Sequence, residues 1–130
     1  MNLPDLSFPR GSYDLNNDPN FNFQLNRVIQ WNGGRLADIA PVSHSICTAA
    51  DWKKALIALG DAAKAEHRTE NAVGYYRMSE FFMIDGDPDK LKFYRKATAL
   101  FYESSREYFD SGLVERLEAP YEDVRLPILH

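Results

Sequence analysis

Apolar side chains recur at helical spacing in four stretches of the chain, at residues 21–31, 48–66, 69–85 and 87–112. A spacing of three to four residues places such side chains on one face of an α-helix, where they can pack against neighbouring helices. Residues 1–20 lack this periodicity and are rich in proline, asparagine and aspartate, a composition typical of irregular chain. The pattern predicts an all-α fold, a small bundle of about four helices preceded by an irregular N-terminal arm.

The predicted helices have recognisable start signals. Asp18-Pro19 is a favourable N-cap and first-turn pair, and Asp87-Pro88 repeats it before the last helix. Thr48 and Asp51 have the spacing of a capping box, in which each side chain bonds to the backbone N–H of the other residue. We expect the third helix to end at Asp85-Gly86, where glycine permits a tight turn.

The last segment of the chain differs from the rest. Gly112 predicts a helix end, and residues 113–130 then mix Leu, Val and Ile with charges and prolines in an extended or β pattern. A strand at residues 114–118 needs a partner strand for its backbone groups, and no other stretch is an obvious candidate. We therefore predict a helical domain at residues 1–112, with the arm at 1–20, and an extended connector to a second domain at 113–130.

The composition limits which cellular compartments and which kinds of binding partner are compatible with the sequence. With 130 residues, 45% of them hydrophobic, the chain fits one folded domain and not a disordered protein. The net charge of −4, with Lys and Arg dispersed among acids, argues against nucleic acid as a partner. No apolar run reaches the roughly 18 residues of a membrane span, and residues 1–10 do not resemble a signal peptide. With Cys47 as the single cysteine, the sequence predicts a cytoplasmic protein without disulfides, cofactor or membrane partner.

The chain contains no complete catalytic motif. No serine stands two positions after any of the seven glycines, so the nucleophile elbow G-x-S-x-G is absent. His44 and Cys47 are three residues apart, a spacing that permits a thiolate–imidazole pair on one helical turn. The alternative is a thiol packed in the core and a ring bonded at a loop edge. His67 fits the C-terminal end of a helix better than a metal site. We expect the isolated chain not to hydrolyse aryl esters.

Aromatic side chains are unusually frequent for so small a bundle, and eight of them lie between residues 75 and 102: Tyr75, Tyr76, Phe81, Phe82, Phe93, Tyr94, Phe101 and Tyr102. Rings at these spacings form core or line an apolar substrate pocket. Arg77 and Glu80 share a helix face with Tyr76, so they either project into a pocket or pair across one turn. We take Tyr75, Tyr76, Arg77 and Glu80 as the candidates for pocket-facing groups. The surplus of ring surface also predicts burial against a larger body, or self-association without one.

Five stretches resemble, in order, successive blocks of one group of α/β-hydrolases, at residues 21–27, 33–39, 51–52 with 59–63, 75–82, and 119–127. The group includes 2,6-dihydroxypseudooxynicotine hydrolase, the fungal hydrolase that shortens pigment polyketides, and FrsA-like esterases. The last block, Ala119-Pro120-Tyr121 through Leu126-Pro127, resembles the point where that family leads into the first strands of its hydrolase sheet. The similarity spans about residues 20–127.

The resemblance implies a helical cap that covers the active site of a serine α/β-hydrolase acting on esters, amides or carbon–carbon bonds. Such a cap excludes water, shapes the substrate pocket and contributes to dimer contacts. The nucleophilic serine, the acid, the histidine and the oxyanion donors would belong to a hydrolase domain after residue 130, which is therefore the expected partner. No catalytic residue is assigned within this chain.

An independent helical interaction module is the alternative function. Tyr75-Tyr76-Arg77 and Phe93-Tyr94-Arg95 form a weak echo 18 residues apart, as expected of two similar packing solutions. A tetratricopeptide-like repeat would have a period of roughly 34 residues. The absence of a nucleophile motif favours such a module, or a dimerisation unit, whereas the order of the blocks favours the cap.

Overall fold

The computed structural model describes residues 12–130, which form six helices followed by a two-stranded sheet. The elements are α1 (Pro19–Trp31), α2 (Leu36–Ser43), α3 (Ala49–Ala65), α4 (Thr69–Ser79), α5 (Pro88–Ser104), α6 (Arg106–Asp110), β1 (Arg116–Tyr121) and β2 (Val124–Leu129). Helix α4 packs between α3 and α5, while α1 and α2 close the bundle on the side of α3 and α4. The predicted class, a small helical bundle with a β tail, is confirmed.

Local capping sets the starts of the main helices as predicted. The Asp18 carboxylate accepts hydrogen bonds from the N–H groups of Asn20 and Phe21, at 2.8 and 3.0 Å, and Pro19 opens α1. Thr48 and Asp51 form the reciprocal capping box at the start of α3. These side chains satisfy N–H groups that the first turn of a helix leaves without partners.

Helix α4 is shorter than predicted, because it ends at Ser79 and does not continue to Asp85. The carbonyl of Met78 accepts a hydrogen bond from the buried indole Nε1–H of Trp52, at 2.9 Å. The chain beyond Ser79 then continues as tight turns, which bring the Phe82 ring edge-on to the Trp52 indole, with centroids 5.0 Å apart. This tertiary packing fixes a helix end that the local pattern places six residues later.

The described part of the N-terminal arm docks along α1 through asparagine side chains. The Asn22 Oδ1 atom accepts from the N–H groups of Leu15 and Asn16, and the Asn26 Oδ1 atom accepts from the N–H of Tyr13 at 2.7 Å. The buried Asn16 amide donates to the carbonyls of two residues after Pro41, Ser43 and Ile46. Residues 12–18 are therefore irregular but held in place; the remainder of the predicted arm lies outside the described residues.

The core lies between the five helices α1 to α5. Its largest fully buried side chains belong to Trp52, Tyr75, Tyr76, Leu25, Ile39, Ile46 and Leu56. Helix α5 contributes one stripe, Phe93, Ala97 and Leu100, whereas its second apolar stripe stays exposed. That second stripe consists of Leu91, Tyr94 and Phe101. The predicted surplus of apolar surface is therefore present on α5.

The C-terminal tail pairs with itself, so the expectation that its strand has no partner within the chain is wrong. Strands β1 and β2 form an antiparallel hairpin around the two-residue turn Glu122-Asp123, with Glu122 in the left-handed region at φ 51°. Glu115 and His130 extend the ladder by exchanging two backbone hydrogen bonds, of 2.8 and 2.9 Å. The turn lacks the glycine or asparagine that would have signalled a hairpin.

Both prolines of the hairpin fit its hydrogen-bond pattern. The Glu115–His130 pair is hydrogen-bonded, and antiparallel pairs alternate between bonded and non-bonded types. Pro120, opposite Arg125, and Pro127, opposite Glu118, consequently occupy non-bonded pairs. Their missing N–H groups would have pointed to the outer edges of the ribbon, so the inner ladder loses nothing.

Candidate functional site

The two tyrosines among the predicted pocket residues lie in the core. The Tyr75 and Tyr76 side chains are fully buried. The Tyr75 hydroxyl donates to Asp38 Oδ2 at 2.6 Å, whereas the Tyr76 hydroxyl donates to Asp61 Oδ1 at 2.5 Å. Because Asp38 is on α2 and Asp61 is on α3, the structure directs the two hydroxyls to different helices. Neither ring lines the groove described below.

Asp38 is the centre of a polar cluster that joins α2 to α4. Its carboxylate binds the guanidinium groups of Arg35 and Arg68, at 2.7 and 2.8 Å, as well as the Tyr75 hydroxyl. The Arg35 hydrogen bond, supported by those from Tyr75 and Arg68, lowers the pKa of Asp38 from 3.8 to about 2. Burial and the bond to Asp38 raise the pKa of Tyr75. Each of these polar groups has a partner within the cluster, which is typical of a structural brace.

A second polar group surrounds Tyr76 at the junction of α3, α4 and α5. The Lys96 ammonium lies 4.4 Å from the centre of the Tyr76 ring and 3.5 Å from Asp61 Oδ1. Burial, with the hydrogen bond to Asp61, raises the pKa of Tyr76. A Cβ at Gly60 would lie 2.5 Å from Tyr76 Cε1, so the ring packs directly on the α3 backbone. Tyr76 is thus a packing residue, and no cavity adjoins its hydroxyl within the described pockets.

Arg77 and Glu80, the other two predicted pocket residues, form an ion pair on the surface of α4. The Glu80 side chain is 12% exposed and that of Arg77 is 52% exposed. The Arg77 guanidinium also lies over the Tyr94 ring of α5, 5.1 Å from its centre. The carboxylate and the ring together fix where the guanidinium is held.

Arg77 lines a depression of the described surface, which we term the aromatic groove. It has a volume of about 540 Å³ and lies between the end of α1, the outer side of α4, and the α5–α6 junction. Its lining consists of Trp31, Asn32, Gly33, Glu70, Val73, Gly74, Arg77, Phe101, Ser104, Ser105 and Tyr108. A smaller depression on the other side of the ion pair is lined partly by Glu80, Leu91 and Tyr94. The structure therefore brings Arg77 and Glu80 to a pocket-bearing face, and separates Tyr75 and Tyr76 from it.

Two glycines allow the floor of the aromatic groove to form. Gly74 on α4 lies so close to the end of α1 that an added Cβ would overlap the Asn32 carbonyl oxygen. Gly33 adopts φ 76°, a left-handed conformation that favours glycine, and lies against the backbone of Glu70. The Asn71 side chain then donates to the Gly33 carbonyl at 2.6 Å. Close backbone contact thus connects α1 to α4 directly beneath the groove.

Sequence reasoning missed the residues that form the groove walls. Trp31, Phe101 and Tyr108 come from α1, α5 and α6, and their convergence depends on the packing of three helices. The available signal was the second apolar stripe of α5, which contains Phe101. That stripe exceeded what one helix–helix contact needs, so it indicated a further surface without locating it.

A second exposed apolar surface lies on one side of the hairpin, and we term it the hairpin face. Directly opposed residues of an antiparallel pair point to the same side. The three pairs Leu117–Ile128, Ala119–Leu126 and Tyr121–Val124 therefore form an apolar surface on one side of the hairpin. Five of these side chains are exposed by 42% to 59%, and Ala119 is half-buried.

The opposite side of the hairpin combines Arg116, Glu118 and Arg125 with Pro120, Pro127 and Leu129, and it contacts the bundle. Arg125 pairs with Glu118 at 2.9 Å, and the Arg116 guanidinium lies 4.6 Å from the centre of the Tyr102 ring on α5. Leu129 lines a small cavity together with Phe109 and other side chains of the α5–α6 region. The hairpin face consequently points away from the helices, toward solvent.

The histidine and cysteine side chains form no metal site in the part of the chain that the structure describes. Residues 12–130 contain no cluster of three or more histidine, cysteine or acidic side chains able to hold a metal ion. His44 and Cys47 are both exposed, and His67 is an exposed residue at φ 59° after the end of α3. None of the helices within this range has both the length and the apolar character that crossing a bilayer requires.

Comparison with known proteins adds no relative to this description. Searches with the chain against protein families, curated proteins and solved structures find no match. The features of the molecule that bear on function are therefore the aromatic groove, the hairpin face and the residues that form them.

Proposed function

We propose that this chain is the helical cap of a serine α/β-hydrolase and that a catalytic domain covers its hairpin face. The cap shapes the substrate pocket and contributes no nucleophile. The exposure of the hairpin face is the observation that supports a missing domain. The order of the five similar sequence blocks indicates that this domain is an α/β-hydrolase. The exposed Cys47 thiol suits a reducing compartment, so the proposal includes a cytoplasmic location.

An amphipathic hairpin with an uncovered apolar side is a surface that requires a partner. A two-stranded ribbon is at best marginally stable in water unless its apolar side packs against something. Here the six apolar side chains form three adjacent cross-strand pairs, and the opposite side carries the Glu118–Arg125 ion pair. Such separation of apolar and charged sides is typical of a ribbon that belongs to a larger sheet or packs under other elements.

The position of the groove relative to the hairpin fits a cap. Phe101 and Tyr108 line the aromatic groove, and both also line the small cavity shared with Leu129 of the hairpin. The hairpin is therefore adjacent to the groove, whose apolar lining would exclude water from a bound substrate. Ester, amide or carbon–carbon bond hydrolysis would then depend on a serine from the catalytic domain.

The coding sequence provides a direct test. We expect the reading frame to continue past the codon for His130 into a hydrolase domain that contains G-x-S-x-G. A stop codon followed by unrelated sequence would contradict the proposal and favour an independent interaction module.

Solution behaviour of the isolated chain tests the hairpin face itself. We expect the chain to bind an apolar dye and to self-associate into a mixture of sizes without a fixed stoichiometry, and the double variant Leu126→Lys with Ile128→Lys to lose most of both effects. Ile84→Lys is the matched control, because Ile84 is 77% exposed and lies outside the hairpin. Light scattering would follow the mass, and circular dichroism would verify that the helices persist.

Two results would contradict this assignment of the surface. The first is a clean monomer of the unmodified chain that binds no dye. The second is loss of association in the Ile84 variant but not in the hairpin variant. A stable, stoichiometric dimer that the hairpin variant dissociates would instead support the dimerisation unit and count against the cap.

A further inference from the structure

The dimensions and lining of the aromatic groove match those of a small-molecule site. Its volume of about 540 Å³ falls within the roughly 300–1,000 Å³ of known ligand clefts. The rings of Phe101 and Tyr108 and the side chain of Val73 form an apolar surface. Gly74 has no side chain and so leaves space at the bottom of the groove. A lining of this kind favours a ligand with a flat apolar portion.

Arg77 is the cationic side chain of this lining, and its guanidinium is held in a defined position. Glu80 bonds to its Nη1 atom, and the central carbon of the guanidinium lies 5.1 Å from the centre of the Tyr94 ring. A guanidinium carries five N–H donors in a planar fork, so one bonded carboxylate leaves further donors available along the rest of the fork. The half-exposed side chain can present those donors to a molecule in the groove.

A carboxylate is the ligand group that this arrangement suits best. The two oxygens of a carboxylate match two parallel N–H donors of arginine, which makes the contact specific in both charge and direction. Glu70 also lines the groove, but it is seven residues before Arg77 on α4, or about 10 Å along the helix axis. The acidic group therefore lies at the far end, where it would repel a carboxylate placed the wrong way round.

We propose that the aromatic groove binds an apolar, ring-containing carboxylate, with the carboxylate on Arg77 and the ring between Val73, Phe101 and Tyr108. Under the proposed function, such carboxylates are the class of substrate or product that the cap selects. That assignment rests on the proposed function. The groove itself is built by this chain, so binding is measurable without a catalytic domain. Because the chain has a net charge of −4, it does not attract anions overall. A bound carboxylate must therefore be held by a nearby positive group.

Titration of the isotope-labelled full chain with naphthoate and with naphthylmethanol, followed by NMR, tests the inference. The two probes share a ring system and differ in the carboxylate. We expect naphthoate to bind about tenfold more tightly, as one charge-assisted contact would produce. The shifted amide signals should cluster on α4 and the α5–α6 junction. Equal affinities, or shifts confined to the hairpin, would overturn the proposal.

Two matched variants separate a specific anchor from a general charge effect. Arg77→Gln should abolish the preference for naphthoate and leave the affinity for naphthylmethanol unchanged, since the ring contacts persist. Arg95→Gln removes the same charge from an exposed position on α5 outside the groove and should preserve the preference. If both variants lose the preference equally, the effect is nonspecific and Arg77 is not the anchor. Because the hairpin is unchanged in both, either result is independent of domain docking.

Discussion

Replacement of Asp38 by asparagine should destabilise the fold in a pH-dependent way. The asparagine amide would keep the shape of the side chain and lose the charge that Arg35, Arg68 and Tyr75 surround. The Asp38 side chain is only 12% exposed, so water cannot fully replace these partners. The variant therefore tests whether the polar cluster between α2 and α4 is a brace that contributes to stability.

The expected magnitude follows from the pKa of Asp38. A fall from 3.8 to about 2 means that the folded state binds the ionised form more favourably than the unfolded chain does. At 1.36 kcal/mol per pKa unit, the difference is about 2 kcal/mol. Because the folded pKa is the lower one, this stabilisation is present above about pH 4 and is lost as pH falls toward 2.

Urea denaturation of the two proteins between about pH 2.5 and 7 measures this effect. We expect the variant to be about 2 kcal/mol less stable near neutral pH, and the two stability curves to converge in acid. Asp14→Asn, at an exposed position, should change stability by less than about 0.5 kcal/mol. Equal stability at neutral pH would refute the brace, and a deficit that stays constant with pH would show that packing, not charge, is responsible.

Two further substitutions probe the packing beneath the groove and the end of α4. Gly74→Ala should destabilise the protein by about 3 kcal/mol or more, because its Cβ would overlap the Asn32 carbonyl oxygen. In a helix without such a contact, replacing glycine by alanine stabilises the protein by about 1 kcal/mol. A higher thermal unfolding midpoint for the variant would therefore contradict the close contact. Trp52→Phe should cost about 3 kcal/mol in urea unfolding, since the Met78 carbonyl loses a buried donor and a void remains. An unchanged midpoint would show that water or a neighbouring group replaces the indole N–H.

Features that depend on residues close in sequence were predictable. Asp18, the Thr48–Asp51 pair and Asp87 each cap a helix through bonds that span three residues or fewer. Such bonds depend little on the rest of the fold, so spacing alone identifies them. The helix starts at Pro19, Ala49 and Pro88 consequently agree with the sequence pattern.

Features set by distant contacts were not predictable in the same way. The Tyr75 hydroxyl finds Asp38 across 37 residues, and the Trp52 indole reaches Met78 across 26. Pro120 and Pro127 make a strand difficult to predict from the sequence. Only the strand register shows that neither position would donate a hydrogen bond between the two strands. Of the four candidate pocket residues, Arg77 and Glu80 reach a pocket-bearing face because they lie on the outer side of α4. The two tyrosines, on its inner side, do not.

The order in which helices meet has a consequence for biosynthesis. Helix α3 packs against α4 and α4 against α5, so the central contacts join neighbours along the chain. Folds built from such short-range contacts form quickly, because little loop entropy is lost before the contacts are made. As translation proceeds from the N-terminus, these three helices can assemble on the ribosome before the hairpin emerges. Its apolar side would then emerge after them, next to helices that have already packed together.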